Sequence, residues 1–220
     1  MKKILLVAIG VTAGTAGFSQ FKVGVQTIGN LSAASVKSEP GIEFTKTMKE
    51  MAGAGVVAQY NISDKLSLRS GLNYLQHGVI LESKRTPTVN MQAKAENTLH
   101  YLQLPVNVLY NIPVGNVTLY AGAGGFINYG VSGTSTQTTK EFTPGGHETV
   151  TIEKLKAFKK EEQGGAGLKK FDYGASALAG VKLNNGIFAN IGYQLSLADI
   201  SEGEGKYKNQ GLQVSVGYFF

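Results

Sequence analysis

The final ten residues, Gly211 to Phe220 (GLQVSVGYFF), constrain the fold more than any other stretch of the chain. Leu212, Val214, Val216, Tyr218 and Phe220 fall on one side of an extended chain, and Gln213, Ser215, Gly217 and Phe219 on the other. Side chains alternate across a strand with period two, so one face here is apolar and the other mostly small or polar. The pattern recurs along the sequence. Ala54, Val56, Ala58 and Tyr60 alternate with Gly55, Val57 and Gln59; Leu66, Leu68, Leu72 and Tyr74 alternate with Ser67, Arg69, Gly71 and Asn73. Leu102, Leu104, Val106, Val108 and Tyr110 share a face opposite Gln103, Pro105, Asn107 and Leu109. Val117 to Ala123, Tyr173 to Leu183 and Ile187 to Leu195 repeat it, and Phe21, Val23 and Val25 open the series. Eight strands are predicted.

The connections decide between a soluble sandwich and a membrane barrel. Segments 32–50, 81–97, 131–169 and 198–208 are long and polar, whereas 61–65, 111–116 and 184–186 are short. The last contains Asn185-Gly186, a tight-hairpin signal in which both residues tolerate positive φ. Long and short connections alternate strictly, as in outer-membrane barrels with short periplasmic turns and long extracellular loops. The predicted fold class is therefore all-β: an eight-stranded antiparallel transmembrane up-and-down barrel, both mature termini periplasmic. Tyr60, Tyr110 and Tyr218 would form one aromatic girdle, and Tyr74, Tyr101, Tyr129, Tyr173 and Tyr193 the other. Pro105 lacks an N–H, so a bulge or local loss of pairing is expected there. Thr136–Phe142 and Glu148–Glu153 are expected to pair around Pro144-Gly145-Gly146 as a polar hairpin outside the membrane.

The chain opens with Lys2 and Lys3, a short apolar run from Ile4 to Val11, and small residues Gly17 and Ser19 before Gln20. These are the parts of a cleaved secretory signal peptide, expected over 1–19, with a single barrel domain over 20–220. The apolar run is shorter than the about 20 residues a spanning helix needs. A transmembrane strand needs only about 10, apolar on one face, so polar interruptions elsewhere do not exclude a membrane. There is no cysteine, which excludes disulfides, thiolate metal sites and a lipobox. The net charge of +6 is too mild to indicate an anionic partner, and no nucleic-acid partner is expected.

The stretches GVVAQYNISDKLSLRSGLNYLQHG (55–78), YLQLPVNVLYNIPVGNVTLYAGAGGFINYG (101–130) and FDYGASALAGVKLNNGIFANIGYQLSLADI (171–200) resemble the PorT-like outer-membrane β-barrel family. The Tyr-Leu-x-x-Pro strand and the Phe-Asp-x-Gly…Gly-Tyr-x-Leu pattern carry most of the resemblance, and Pro105 fits the family's own proline. Such a resemblance implies a Gram-negative, Bacteroidota-type outer membrane. The name-giving member takes part in type IX protein secretion, a role that the resemblance does not transfer residue by residue.

No catalytic constellation, metal site or cofactor is expected. His77 and His100 flank the second long connection and could come close at the rim, but no carboxylate is placed to complete a metal site, and none of the three histidines has a ligand spacing. Ser70, Ser176, Ser196 and Ser215 lie in no G-x-S-x-G elbow. Gly122-Ala123-Gly124-Gly125 lacks the Lys-Ser/Thr of a phosphate loop, and close strand packing explains it better. The predicted interior carries Gln59, Arg69, Asn73, Gln103, Asn107, Lys182, Asn190, Gln194 and Gln213. These read as a hydrogen-bonded plug in preference to a solute path, because an eight-stranded interior is barely wide enough for its own side chains. Arg69 and Lys182 then need acceptors that the strands do not obviously supply. Lys140, Lys154, Lys156, Lys159, Lys160 and Lys169 offer contacts to lipopolysaccharide phosphate, but nearby glutamates largely balance them.

The expected partners are outer-membrane lipid and lipopolysaccharide, barrel-assembly machinery acting on the last strand (Leu212 to Phe220, lipid-facing), and secretion-system or envelope proteins. The leading function is a non-enzymatic barrel with an envelope-structural, interaction or secretion/assembly role. A narrow pore for small solutes and a lipid-modifying enzyme are the competing readings.

Overall fold

The computed structural model describes residues 20–37, 44–83, 91–142, 147–203 and 206–220. The expected leader and the Pro144–Gly146 turn lie outside them. Nine strands form: β1 (Phe21–Lys37), β2 (Phe44–Asn61), β3 (Leu66–Ser83), β4 (Met91–Val114), β5 (Val117–Phe142), β6 (Glu148–Lys156), β7 (Phe171–Leu183), β8 (Ile187–Ser196) and β9 (Lys206–Phe219). Eight close into an antiparallel ring, β1-β2-β3-β4-β5-β7-β8-β9, with β9 hydrogen-bonded back to β1. Closure removes the sheet edges that an open sheet would leave in lipid. The ninth, β6, pairs with the far end of β5 outside the ring, from Thr134↔Lys156 to Phe142↔Glu148, which is the hairpin expected there.

The strands are longer than their apolar patterns. β2 begins at Phe44, β4 at Met91, and β5 runs to Phe142, all inside segments read as long loops. The ladder continues, for instance Lys94↔Thr138, where both faces meet water and no apolar contrast marks the strand. What looked like loops at this end is largely a sheet projecting above the barrel.

The opposite end carries tight connections. Gly115-Asn116 alone joins β4 to β5, with Gly115 at φ +60°. In Asn184-Asn185-Gly186 only the glycine takes positive φ (+93°), so the loop closes through one left-handed residue. At Pro105 the β3–β4 register is kept while pairing lapses between Ser70↔Val106 and Asn73↔Gln103; the Ser70 hydroxyl donates to the Pro105 carbonyl at 2.8 Å. Gly122 and Gly124 face inward, where an added Cβ would collide with the Val108 and Val106 carbonyl oxygens of β4.

Outward positions form an apolar belt, with Val25, Val56, Leu72, Val106, Ile127, Ile191 and Val214 all exposed. Tyr60, Tyr110 and Tyr218 ring its turn end; Tyr74, Tyr129, Tyr173 and Tyr193 ring its loop end. Tyr101 is the exception to the expected girdle. Its neighbour Leu102 faces out, so parity turns Tyr101 inward, where it is fully buried.

Candidate functional site: the barrel interior

The interior is layered. At the turn end the Phe188 and Phe219 rings pack tilted against each other, centroids 4.7 Å apart, beside Val57. The Arg69 guanidinium lies 4.3 Å from the Tyr120 ring centroid and 5.2 and 5.5 Å from those of Phe188 and Phe219. Its Nε and Nη2 both donate to Gln59 Oε1, at 3.1 and 2.8 Å. An amide oxygen and aromatic faces thus replace the carboxylate that the sequence did not supply. Lys182 is only half-buried at the turn-end mouth, beside Thr118 and Lys22, where solvent reaches it.

The middle layer is a polar network spanning the lumen. Gln103 Nε2 donates to Asn128 Oδ1 (3.0 Å) and Gln194 Oε1 (2.9 Å), linking β4 to β5 and β8. Asn73 reaches Gln103 Oε1 at 3.4 Å and accepts from Gln26 at 2.9 Å; Ser176 donates to Asn107 Oδ1 at 2.7 Å. Asn190 and Gln213 line the same central void with Ser215. That void measures about 50 Å³, room for a few waters and no solute.

Asp172 anchors the upper part of this network and was missed in the sequence. It is fully buried, and its Oδ2 accepts from Ser196 Oγ (2.9 Å), Asn209 Nδ2 (3.0 Å) and Asn128 Nδ2 (3.2 Å). The signal was available: Tyr173, Ala175 and Ala177 face outward, so parity puts residue 172 inside.

Above it an apolar layer closes the loop end. Tyr101, Val79 and Leu99 from the wall pack with Ala157 and Leu168 from the β6–β7 connection and Ala198, Ile200 and Tyr207 from the β8–β9 side. The connecting segments are bonded to each other and to the wall: Ala157 N–H to Gly133 O (3.0 Å), Leu168 N–H to Ala157 O (3.0 Å) and Lys169 N–H to Ile200 O (2.7 Å). Gly130 makes space for the Phe158 ring, which meets Tyr101 edge-on at 5.6 Å.

Where β2 carries one residue more than β3, between Met48 and Gly53, the ladder opens. Inward side chains of β1 fill the gap: Asn30 donates to Gln76 O at 2.8 Å and the Ser32 hydroxyl accepts from Gly78 N–H at 2.9 Å. His77 sits there, buried, edge-on to Tyr101. His100 is one register away but on the outer face, stacked on Tyr74, whose hydroxyl lies 2.6 Å from its Nδ1. The two histidines therefore do not converge at the rim: adjacent positions on paired strands point to opposite faces. Among the described residues, no three His, Cys, Asp or Glu side chains cluster as a metal site.

The outward set of the last strand, Leu212, Val214, Val216, Tyr218 and Phe220, presents a continuous exposed apolar face. A family model described as the outer membrane protein beta-barrel domain matches residues 6–202. The chain belongs to that family, and outer-membrane localisation follows. No curated protein sequence matches the chain. Among solved structures the barrel is similar to Neisserial surface protein A, at 16 % identity and TM-score 0.38, covering 90 % of this chain and 97 % of that one. It is similar too to Ail of Yersinia pestis in complex with the heparin analogue sucrose octasulfate, at 13 % identity and TM-score 0.39 over 90 % and 99 %. OprG from Pseudomonas aeruginosa matches at 14 % identity and TM-score 0.40, over 91 % and 97 %.

Proposed function

We propose that this family member is a sealed, non-enzymatic barrel that works through its projecting sheet, in an envelope-structural, interaction or assembly role. The observation that carries the reading is the closed lumen: an apolar layer across the loop end and, below it, a bonded polar network that leaves a void of only about 50 Å³. The turn end faces the periplasm and the projecting sheet the exterior, in keeping with the sorting of short and long connections. Residues 1–19 serve as the cleaved leader. Outer-membrane lipid packs against the apolar belt, and the last strand is the segment that assembly machinery engages.

Recording in planar bilayers tests the sealed lumen. The reconstituted barrel should give no defined conductance steps; a reproducible unitary conductance would establish the pore reading instead. Within the family, the Tyr-Leu-x-x-Pro strand at Tyr101–Pro105 and the Phe171-Asp172-x-Gly174 motif favour the PorT-like members. A role in protein secretion is tested by deletion, and normal export of surface cargo in the deletion strain removes it.

A further inference from the structure

Strand β6 is an anomaly in a fold that otherwise closes its edges. Among the described residues its only ladder is with β5, and apart from a bridge between Lys156 and Gly165 at its end the second edge is open along Glu148–Lys154. Backbone direction along β6 can be read from two bonds. Ala157 N–H points to Gly133 of β5, while Lys156 C=O accepts from Ala166 N–H at 3.0 Å on the other side. Odd-numbered residues therefore turn their amides toward β5, and Glu148, Val150, Ile152 and Lys154 present theirs to the free edge. β6 carries no proline, glycine or bulge to blunt that edge, and Val150 and Ile152 stand 48 % and 62 % exposed.

The edge is complementary to itself. Antiparallel pairing of β6 with a second β6, centred on Thr151, sets Glu148 opposite Lys154, Val150 opposite Ile152, and the same two pairs again by symmetry. All four free-edge residues become hydrogen-bonded pairs, and opposite charges and apolar side chains meet directly. Shifting the centre to Ile152 would set Val150 against Lys154 and engage Lys156, whose carbonyl is already taken. The two-fold axis of such a pairing stands perpendicular to the sheet. Because β6 extends the barrel wall through β5, that axis reverses the barrel direction, and the copies meet loop end to loop end.

We infer that β6 is a homotypic docking strand, joining two copies on facing outer membranes by antiparallel β6–β6 pairing about Thr151. The inference rests on the projecting sheet lying outside the membrane, as proposed above, and adds the identity of its partner. Thr151 faces its own copy as a non-hydrogen-bonded pair, with Cα atoms about 4.5 Å apart, inside the range a disulfide spans. The chain has no other cysteine to interfere.

In the detergent-purified full chain, Thr151→Cys should give a disulfide-linked dimer on mild oxidation. Thr149→Cys should not, because its copy lies four residues along, about 13 Å away. In phosphatidylcholine vesicles the wild type should cluster the vesicles, seen by light scattering. Glu148→Lys and Lys154→Glu, each setting like charges opposite, should each raise the protein density needed for clustering about tenfold. Mixing vesicles of the two variants should restore clustering, since each then supplies the other's missing charge; this also shows that both variants fold. Equal cross-linking at positions 149 and 151, no clustering by the wild type, or no restoration on mixing would each overturn the inference. Conductance is independent of all these results, so the sealed-barrel reading stands or falls separately.

Discussion

Strand β5 passes through two environments. From Val117 to Gly130 exposed and buried side chains largely alternate, with Leu119, Ile127 and Tyr129 outside and Tyr120, Phe126 and Asn128 inside. From Thr136 to Lys140 the ladder continues to β4 and β6, yet neither face is buried. The bulge at Val131, skipped between His100↔Ser132 and Tyr101↔Gly130, separates the two stretches. Backbone pairing is common to both; in the wall an apolar solvent outside and a packed lumen inside impose opposite demands on successive residues, and above it water imposes the same demand on both.

A charge placed outward in each region should separate them most. Val214→Arg on the belt is expected to destabilise the barrel by about 2–4 kcal/mol in lipid-vesicle unfolding. Ile152→Arg, equally outward on β6, should change stability by less than about 0.5 kcal/mol. Equal effects would break the distinction. Within the wall, Asp172→Ala removes the acceptor shared by Asn128, Ser196 and Asn209 and should cost about 2 kcal/mol, read by the same unfolding measurement. Gly186→Ala forces a side chain into φ +93° at the turn end, for about 1 kcal/mol.

The smallest effect belongs to the projecting sheet. Lys49 Nζ lies 2.6 Å from Glu96 Oε1, and this hydrogen bond holds the Glu96 carboxyl below its ordinary value of 4.5. A depressed folded-state value means that the stabilisation is present above the unfolded value and is lost as pH falls through the folded one. The hydrogen-exchange protection factors of β2 and β4 above the bulges should therefore fall below about pH 4.5 while those of the belt amides hold. Unchanged protection factors across that window would show that the pair contributes nothing.

The same contrast explains what the sequence could convey. The eight wall strands, their facing and the placing of short turns were legible because lipid and lumen write a period-two contrast into residues such as those of 102–110 and 212–220. The upper halves of β2, β4 and β5 were not legible, because Thr, Lys and Glu on two wet faces read like a loop. Inside the lumen, Gln59, Arg69, Asn73, Gln103 and Gln194 were identifiable by parity alone. Their bonding was not, since Arg69 rests on aromatic rings drawn from three other strands. Asp172, Asn30 and Ser32 lay at the edges of the recognisable strands or beyond them. The apolar closure by Leu168 and Ile200 came from segments with no strand period at all, and only the folded chain brings them over Tyr101.

The central claim is that one continuous set of strands forms a lipid-embedded wall and a water-exposed sheet. The most direct test is a scan of single cysteines carrying an environment-sensitive fluorophore, in the vesicle-inserted protein. Labels at Val214 and Val216 should report lipid and those at Gln213 and Ser215 should not, while labels at Val150, Thr151 and Ile152 should all report water. A lipid signature at Val150 and Ile152, or an aqueous one at Val214 and Val216, would contradict it.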